Sequence, residues 1–399
     1  MALFGLFKKT QPIVAIEVLP ERIRALKAKV DIESGKISLV DYISESHEFS
    51  YESLDMFADA VKGVLARLKP SKKQLILLGF HDGAAVTTRM NASVNRSNVD
   101  TMLRENELED LIFKAQWKIF DKMRPVLAVK MGIGDLDLHL TDAKIEGVRL
   151  DGHRVINPIG FRPRTIEFDI INTFASKKMI RSLKQLIHEY GTLELVVERN
   201  AAFINALMRI YKMFDAVVIT VRSQSTQIVV VKNRAIVYNQ DFGWGCESLH
   251  NAMDRFFSVG AGVGAKIYDR YATGNLSDAV SKKIEHVFDD ELNLFFQGVH
   301  LALSSLEKGS LPPALLFQYE EKMPDYVAGE IMKHVFPRGL FAEKPRMIVL
   351  PLDLIAEELK LSMPIENSFA ALLAEFVYGE KGDSQLNNLL NKRVRWLEA

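Results

Sequence analysis

The chain has 399 residues, 48% of them hydrophobic, which is enough for two or three domains with sizeable cores. Basic and acidic side chains number 51 each, so the zero formal net charge argues against a nucleic-acid-binding surface spread over the whole protein. The single cysteine, Cys246, excludes an internal disulfide framework and favours a reducing compartment. No apolar run approaches the roughly 20 residues that span a bilayer, and residues 1–9 are too short for a secretory signal.

The N-terminal segment, residues 1–12, combines large apolar side chains with two lysines. The apolar residues Leu3, Phe4, Leu6 and Phe7 precede Lys8 and Lys9. One interpretation is a loosely packed or disordered terminus. The other is a weak interfacial anchor, in which the apolar side chains enter lipid while the lysines meet anionic headgroups.

Residues 13–86 have the pattern of a small α/β unit. Apolar, β-branched runs predict strands at 13–18, 23–30, 37–44 and 74–80. Apolar residues spaced three and four apart predict a helix at 54–68. The turn between the first two strands contains Leu19, Pro20 and Glu21, of which Pro20 lacks an N–H group and Glu21 adds negative charge.

Residues 87–174 are predicted to form a separate module. A polar-alternating strand at 87–94 precedes a long helix at 97–122. Strands at 136–140 and 144–150 are expected to pair around a turn at Thr141 and Asp142, and another strand follows at 164–171. The module therefore reads as a mixed α+β insertion.

Residues 175–378 are predicted to form a second half with its own inserted part at about 250–310. The expected helices are 176–190, one that begins near Glu247, 276–306 with a break near Asp289 and Asp290, 324–335 and 368–378. The expected strands are 193–198, 217–221, 227–232, 235–240, 314–317 and 346–351. A loop with Gly243 and Gly245 joins the strand at 235–240 to the helix near Glu247.

A short linker, residues 379–383, leads to a last predicted helix, residues 384–399. Its apolar residues and cations are Leu386, Leu389, Leu390, Val394, Trp396 and Leu397 with Lys392, Arg393 and Arg395. Such a helix can lie on a membrane surface, with the apolar side chains in lipid and the cations at the headgroups. The alternative is a helix docked on its own domain or on a partner.

The order of elements in residues 215–249 resembles the phosphate-binding half of actin-like ATPases. Within the module, Asp151-Gly152, then Asn157-Pro158-Ile159-Gly160, then the strand after Arg162 resemble the inserted subdomain (SHS2 domain) of the FtsA family of bacterial cell-division proteins. Residues 193–203 resemble that family's entry to its second half, with Arg199 in place of a proline. The resemblance implies an α/β, actin-like two-lobed fold with duplicated ribonuclease-H-like halves and an inserted α+β subdomain.

The nucleotide contacts that the resemblance implies are altered at three places. Arg222 stands where an aspartate would orient a metal ion, residues 19–21 replace the first phosphate loop, and residues 318–322 replace a glycine loop that approaches adenosine. The remaining nucleotide-binding candidates are Arg222, Ser223, Ser225, Thr226, Gly243 and Gly245. We therefore expect a pseudo-ATPase without hydrolysis and without catalytic residues, in which binding of ATP and Mg²⁺ is doubtful.

The resemblance implies a scaffold that tethers FtsZ filaments to the cytoplasmic face of the cell membrane, where it would be a peripheral protein. Its partners would be an FtsZ-type tail peptide or other division proteins, membrane lipid through residues 384–399, and further copies of itself, but no nucleic acid. The alternative is a PilM-like cytoplasmic scaffold of type IV pilus or secretion machinery, because such chains share the actin-like core and often open with an apolar-basic segment. A sugar or small-molecule kinase of the same superfamily would need an intact phosphate turn, so Arg222 argues against it.

Other chemistry-bearing residues favour structural roles. The histidines have no zinc-like spacing, and the acidic run at 289–291 is typical of a solvated helix face. Cys246 has no neighbouring histidine or second cysteine, so neither a metal site nor a catalytic thiol is predicted.

Overall fold

The computed structural model describes residues 10–19, 22–31, 34–46, 54–81, 83–213, 215–233, 235–307, 309–320, 323–336 and 339–379, with residues 386, 387, 389 and 390. These residues separate into two compact units. Unit 1 holds the described residues up to 207 and from 355 onward, and unit 2 holds those from 208 to 354.

The elements are named in chain order. The strands are β1 (Thr10–Val18), β2 (Arg22–Asp31), β3 (Ile37–Ser46), β4 (Leu75–Phe80), β5 (Ala85–Asn95), β6 (Leu138–Leu150), β7 (His153–Val155), β8 (Thr165–Ser176), β9 (Thr192–Glu198), β10 (Ala216–Val221), β11 (Thr226–Lys232), β12 (Ala235–Phe242), β13 (Ala314–Tyr319) and β14 (Arg346–Val349). The helices are α1 (Leu54–Leu68), α2 (Glu105–Met131), α3 (Lys177–Ile187), α4 (Arg199–Ile210), α5 (Cys246–Phe257), α6 (Val263–Ala272), α7 (Asp278–Ser304), α8 (Asp325–Lys333), α9 (Leu354–Glu358) and α10 (Asn367–Gly379).

Unit 1 is built on a five-stranded sheet in the order β3-β2-β1-β4-β9. The first three strands form an antiparallel meander, and β4 and β9 then run parallel to β1. Strand β1 is central, which explains why its residues from Ile13 to Val18 are all buried. Helices α1 and α3 cover one face of this sheet. Helix α10 lies over the other, where Leu372 comes within 3.3 Å of the position of a Cβ built on Gly79.

Unit 2 repeats this arrangement with the order β12-β11-β10-β13-β14. Its first three strands are again an antiparallel meander, and β13 and β14 run parallel to β10. The identical strand order and directions confirm the predicted duplication. Helices α5, α6 and α7 follow β12, and their aromatic side chains form much of the core of this unit.

The module between β4 and α3 is a four-stranded antiparallel sheet in the order β5-β8-β6-β7, with α2 packed on one face. Most side chains facing α2 are apolar, although buried Asn172 accepts a hydrogen bond from Gln116 of that helix over 2.8 Å. The other face carries ion pairs such as those of Arg149 with Glu167 and Asp169. The insertion is therefore an α+β module, as the sequence predicts.

Several element boundaries differ from the sequence-based expectation. Helix α2 begins at Glu105 because residues 97–104 form bends and a turn next to Arg96, whose guanidinium contacts Thr101 O and Pro163 O. It continues through Pro125 to Met131, because buried Leu127 and Ala128 hold its last turns. Its end is marked by Gly132 in the left-handed region.

The predicted turn at Thr141 and Asp142 is instead a bulge within the continuous strand β6. Thr141 Oγ1 donates to Thr173 O, so pairing with β8 continues past the irregularity. Helix α7 likewise has no break at Asp289, because Asp289 accepts a hydrogen bond from Tyr326 on α8 and is held within the packed helix.

The division between halves also differs from the boundaries at 175 and 378. Strand β9 adds to the sheet of unit 1, and α3 and α10 pack on that sheet. The second sheet begins only with β10, so the chain leaves unit 1 at about 207 and returns at 355. The unit to which β9 belongs is therefore determined by its hydrogen bonds to β4 and not by its position in the sequence.

Candidate functional site

The turn between β10 and β11 lies where the sequence resemblance implies a phosphate-binding turn. Its backbone closes on itself, because Arg222 N donates to Ser225 O over 2.8 Å. The first amides of α5 also donate to this turn: Cys246 N to Arg222 O over 2.9 Å, and Glu247 N to Ser223 O over 2.8 Å. Amides at the start of a helix are the groups that bind phosphate in nucleotide-binding proteins. Here two of them are engaged by the protein's own carbonyl oxygens.

Side chains of the same turn are also engaged internally. Ser223 Oγ donates to Glu247 Oε1 over 2.8 Å, and Thr226 Oγ1 donates to Trp244 O over 2.7 Å. The side chain of Gln224 approaches the same Glu247 oxygen at 3.4 Å. Ser225 is half-buried, and its carbonyl accepts the turn-closing bond. The Ser223 hydroxyl is thus already bonded to Glu247. The Glu247 carboxylate also places negative charge where a phosphate would need hydrogen-bond donors.

Arg222 is a buried cation at the base of the turn. Its Nη1 contacts Asp241 Oδ2 at 3.2 Å, and its Nη2 donates to Gln227 Oε1 over 2.6 Å. Gln227 in turn donates to Asn239 Oδ1 over 2.9 Å. The guanidinium is therefore part of a network between β11 and β12, and cannot do what a metal-orienting carboxylate does.

The two candidate glycines differ in what they do. A Cβ on Gly245 would lie 2.3 Å from Ser223 O and 2.6 Å from Arg222 O, so only glycine allows α5 to approach the turn this closely. A Cβ on Gly243 would meet no atom within 4 Å among the described residues. Gly245 serves close packing of helix against turn, while Gly243 has no such requirement.

The residues predicted to replace an adenosine loop lie beside this turn. Gln318 and Tyr319 pair in parallel with Thr220 and Val221, and Glu320 N donates to Val221 O over 2.9 Å. Gln318 is 1% exposed and Glu320 is 9% exposed. Residues 321 and 322 lie outside the described part of the chain. Buried side chains thus occupy the end of β13, where the predicted adenosine loop would have glycines.

In unit 1, the residues that flank the first predicted phosphate loop are hydrogen-bonded to each other, because Leu19 N donates to Arg22 O over 2.9 Å. Pro20 and Glu21 lie outside the described residues. Below the hairpin is a buried charge cluster that the sequence interpretation missed. Glu17 Oε2 lies 3.2 Å from Arg24 Nη1, and Glu17 Oε1 accepts from Arg199 Nε over 2.9 Å.

This Glu17 cluster is almost fully enclosed, with the three residues no more than 4% exposed. Arg24 also lies 3.7 Å from Glu366 of unit 1. Burial, and then the charge of Glu366, raises the pKa of the neighbouring Tyr42 phenol. Glu17 lies directly opposite Arg24 in the antiparallel register of β1 and β2. A sequence signal for the pair existed, because the turn predicted at residues 19–21 between these strands would bring the two residues together.

The other candidates behave as structural groups. Cys246 is 1% exposed. Burial raises the pKa of the Glu291 carboxyl, and Arg255 at 2.8 Å acts in the opposite direction. Within the described ranges, no three histidine, cysteine, aspartate or glutamate side chains come together as metal ligands would.

Three predicted membrane-binding residues are described, and all three are buried. Leu386, Leu389 and Leu390 are 8%, 2% and 0% exposed and join the core between α2 and the module's sheet. Between them, Asn387 Oδ1 accepts a hydrogen bond from Ile145 N over 2.8 Å. In this arrangement none of the three can reach lipid, which matches the alternative of a segment docked on its own domain.

The other predicted membrane-binding residues, which include Arg393 and Trp396, lie outside the described residues, as do residues 1–9 of the N-terminal segment. Among the helices described, none is both long enough and apolar enough to cross a bilayer.

The two segments of the module that carry the sequence resemblance are turns. Asp151 has φ +48° and Gly152 has φ +85° in the hairpin between β6 and β7, and the Asp151 carboxylate accepts from Thr165 N over 2.8 Å. Asn157 Oδ1 accepts from Ile159 N, and Gly160, at φ +89°, donates its N–H to Leu103 O. Residues 157–160 thus lie between β7 and β8 and are bonded to the segment that precedes α2.

No protein-family model matches the sequence, and a search of curated proteins finds no significant match. Among solved structures, a chain of the PilM–PilN type IV pilus biogenesis complex is 12% identical over 92% of this chain and 98% of its own, with a TM-score of 0.53. The ethanolamine utilization protein EutJ of Carboxydothermus hydrogenoformans is 10% identical over 92% and 91%, with a TM-score of 0.44. An actin-like ATPase-fold protein of unknown function from Bacteroides thetaiotaomicron is 8% identical over 93% and 99%, with a TM-score of 0.40.

The last two scores are too low to support an inference. The first likeness, together with the duplicated sheets and the inserted module, shows the fold. The chain has the actin-like ATPase fold, as predicted.

Proposed function

We propose that this protein is a scaffold that uses the actin-like fold without hydrolysing ATP. The observation that carries the proposal is the closed turn at residues 222–226, whose carbonyls and hydroxyls are bonded to the start of α5. A nucleotide phosphate would have to displace these bonds and would meet the carboxylate of Glu247. Removing satisfied hydrogen bonds and adding like charge both oppose phosphate binding.

The test is calorimetry of the full chain with Mg-ATP, beside an ATP-binding protein of the same fold as a positive control. We expect no binding heat at concentrations where the control saturates. Tight binding, with ATP turnover that Thr226→Ala abolishes, would disprove the proposal. Thr226 is chosen because its hydroxyl is the buried donor of the turn.

We favour a role of PilM type, in which an actin-fold protein binds a peptide from a membrane protein of pilus or secretion machinery. What supports this choice is the PilM–PilN chain, which matches almost over its full length. The burial of Leu386, Leu389 and Leu390 also removes part of the sequence case for a lipid-binding tail.

The second candidate is an FtsA-type tether of FtsZ filaments at the membrane. It is supported by the sequence resemblance of residues 151–160 and by the basic, apolar composition of residues 391–399. Peripheral attachment to the cytoplasmic face of the membrane and self-association are parts of this proposal.

Two measurements separate the candidates. A pulldown compares an FtsZ tail peptide with a peptide from a pilus membrane protein, and liposome co-sedimentation compares the full chain with a chain that lacks residues 384–399. Binding of the pilus peptide without any change in lipid binding supports the PilM-type role. Binding of the FtsZ peptide with lost lipid binding supports the tether.

A further inference from the structure

Helix α2 has an outward face that combines lysines with an exposed aromatic side chain. Lys114, Lys118 and Lys122 are all exposed. Trp117, which lies among them, is 48% exposed. These residues are spaced three and four apart, so they share one side of the helix over roughly 12 Å at 1.5 Å per residue. We call residues 113–122 on this side the α2 face.

The α2 face carries a shallow, open recess between side chains of this one helix. It has a volume of about 540 Å³ and is lined by Phe113, Lys114, Trp117, Lys118, Asp121 and Lys122. The floor is aromatic and the rim is mostly cationic. A recess of this kind fits one large apolar side chain whose neighbours carry negative charge.

The Trp117 ring is held in place by its neighbours. Its centroid lies 6.5 Å from that of Phe113 in a stacked pair and 6.0 Å from that of Phe120, which in turn packs on Phe174 in the core of the module. Lys118 Nζ donates to Ser93 O over 3.3 Å, so one rim cation is anchored as well. A recess whose walls are already ordered loses little conformational freedom when a ligand binds.

We propose that the α2 face binds an acidic segment of a partner protein through an aromatic or large aliphatic anchor residue seated against Trp117. On the α2 face the three lysines are accompanied by one carboxylate, that of Asp121, so the face complements a negatively charged peptide. Opposite charges at the rim supply on-rate and specificity, and the aromatic floor supplies most of the affinity.

One other occupant fits less well. The chain's own residues 391–399 contain Lys392, Arg393 and Arg395 against one glutamate, so their charge does not complement the face. An anionic membrane or a nucleic acid is a different class of ligand that the lysines could attract, and the experiment below distinguishes both from an acidic peptide.

The inference rests on the proposed scaffold role, for which it names the partner chemistry and the surface. Its test is independent of the nucleotide experiment, so the failure of one is distinguishable from the failure of the other.

The test begins with selection of a random 12-residue displayed peptide library on the full-length protein, with counter-selection on the double variant Lys114→Glu/Lys122→Glu. The best peptide is then synthesised with a fluorescent label, and its binding is measured by anisotropy. The matched control is Lys72→Glu/Lys73→Glu, an equal charge reversal at two exposed lysines elsewhere in unit 1. Circular dichroism establishes that each variant is folded.

We expect the selected peptides to be net acidic and to share an aromatic or large aliphatic residue. Binding should weaken by about tenfold or more in Lys114→Glu/Lys122→Glu and in Trp117→Ala, and should change less than about twofold in the control. Higher salt should weaken binding to the native protein.

The proposal is overturned if no peptide is enriched, if the enriched peptides are neutral or basic, or if the double variant binds as the native protein does. It is also overturned by a second pattern of results. In that pattern, phosphatidylglycerol–phosphatidylcholine vesicles or an oligo-dT strand bind the native protein but not the double variant, and the selected peptides do not bind the α2 face.

Discussion

Replacing Leu390 by alanine should detach residues 386–390 from the module. The Leu390 side chain is 0% exposed and packs, with Leu386 and Leu389, into the core formed by α2 and the module's sheet. In the same segment, Asn387 Oδ1 accepts a hydrogen bond from Ile145 N. The segment therefore depends on a few buried side chains.

The expected loss of free energy is large relative to the stabilisation that the contacts of residues 386–390 provide. A buried leucine replaced by alanine loses about 2–5 kcal/mol, while a neutral hydrogen bond contributes about 1 kcal/mol. A loss of about 2 kcal/mol already raises an opening equilibrium constant about 30-fold. A terminal segment opens at lower cost than the whole unit, so this loss appears as local detachment.

Hydrogen exchange followed by mass spectrometry measures the detachment. The amide of Ile145 should exchange about 30-fold faster or more in Leu390→Ala, since this amide donates to Asn387 and not to a neighbouring strand. Leu136→Ala is the matched control, because Leu136 is 86% exposed in the same module. Unchanged exchange at Ile145 in Leu390→Ala would refute the docking. Faster exchange of the native protein on addition of anionic vesicles would instead favour the tether.

Three further changes test the two cores and the histidine pair. Gly245→Ala should destabilise unit 2 by about 1–3 kcal/mol, because its Cβ would lie 2.3 Å from a carbonyl oxygen, whereas Gly243→Ala should change little; urea unfolding of both compares them. Glu17→Gln should cost unit 1 about 3–5 kcal/mol by leaving buried cations, measured as exchange of β1 amides against the exposed control Asp59→Asn. Burial, and then its histidine partner, lowers the pKa of His334 to about 4, so stability should fall as pH drops from about 6.5 towards 4. His334→Gln should flatten this part of the thermal-stability profile.

The sign of the pH effect follows from which state binds the proton. His334 Nε2 lies 3.0 Å from His300 Nε2, and its ring stacks on Phe296 with centroids 3.5 Å apart. The unfolded chain takes up protons at these histidines near their ordinary pKa, while the folded chain resists until lower pH, since burial also lowers the pKa of His300. Stability is therefore fully present above the ordinary pKa and is lost as pH falls. A flat profile in the native protein would contradict this assignment.

The repeated strand order could be predicted because it depends on local pattern. Buried strands such as β10 and β11 show as β-branched runs, and short polar turns between them fix antiparallel neighbours. The resemblance of these runs to an actin-like half then supplied the parallel strands, whose pairing no local signal shows.

The boundaries that differ depend on contacts distant in sequence. Arg96 holds residues 97–104 out of a helix through the backbone near Pro163, and β9 joins β4 although more than a hundred residues separate them. A bulge in β6 and a turn have the same small polar residues in sequence, and only pairing with β8 distinguishes them. Such choices are tertiary, so periodicity alone could not make them.

The candidate site also depends on contacts that the sequence alone could not predict. The resemblance to actin-like ATPases implies that Arg222 stands in place of an acidic residue, but the sequence cannot show which groups take the place of a phosphate. Polar groups at a buried turn must be bonded to something, because an unpaired buried donor or acceptor costs about 1–3 kcal/mol. Ser223 and Thr226 satisfy that requirement with Glu247 and a backbone carbonyl. Once its own residues satisfy the turn, the fold keeps its shape without a ligand, and that independence is what a scaffold needs.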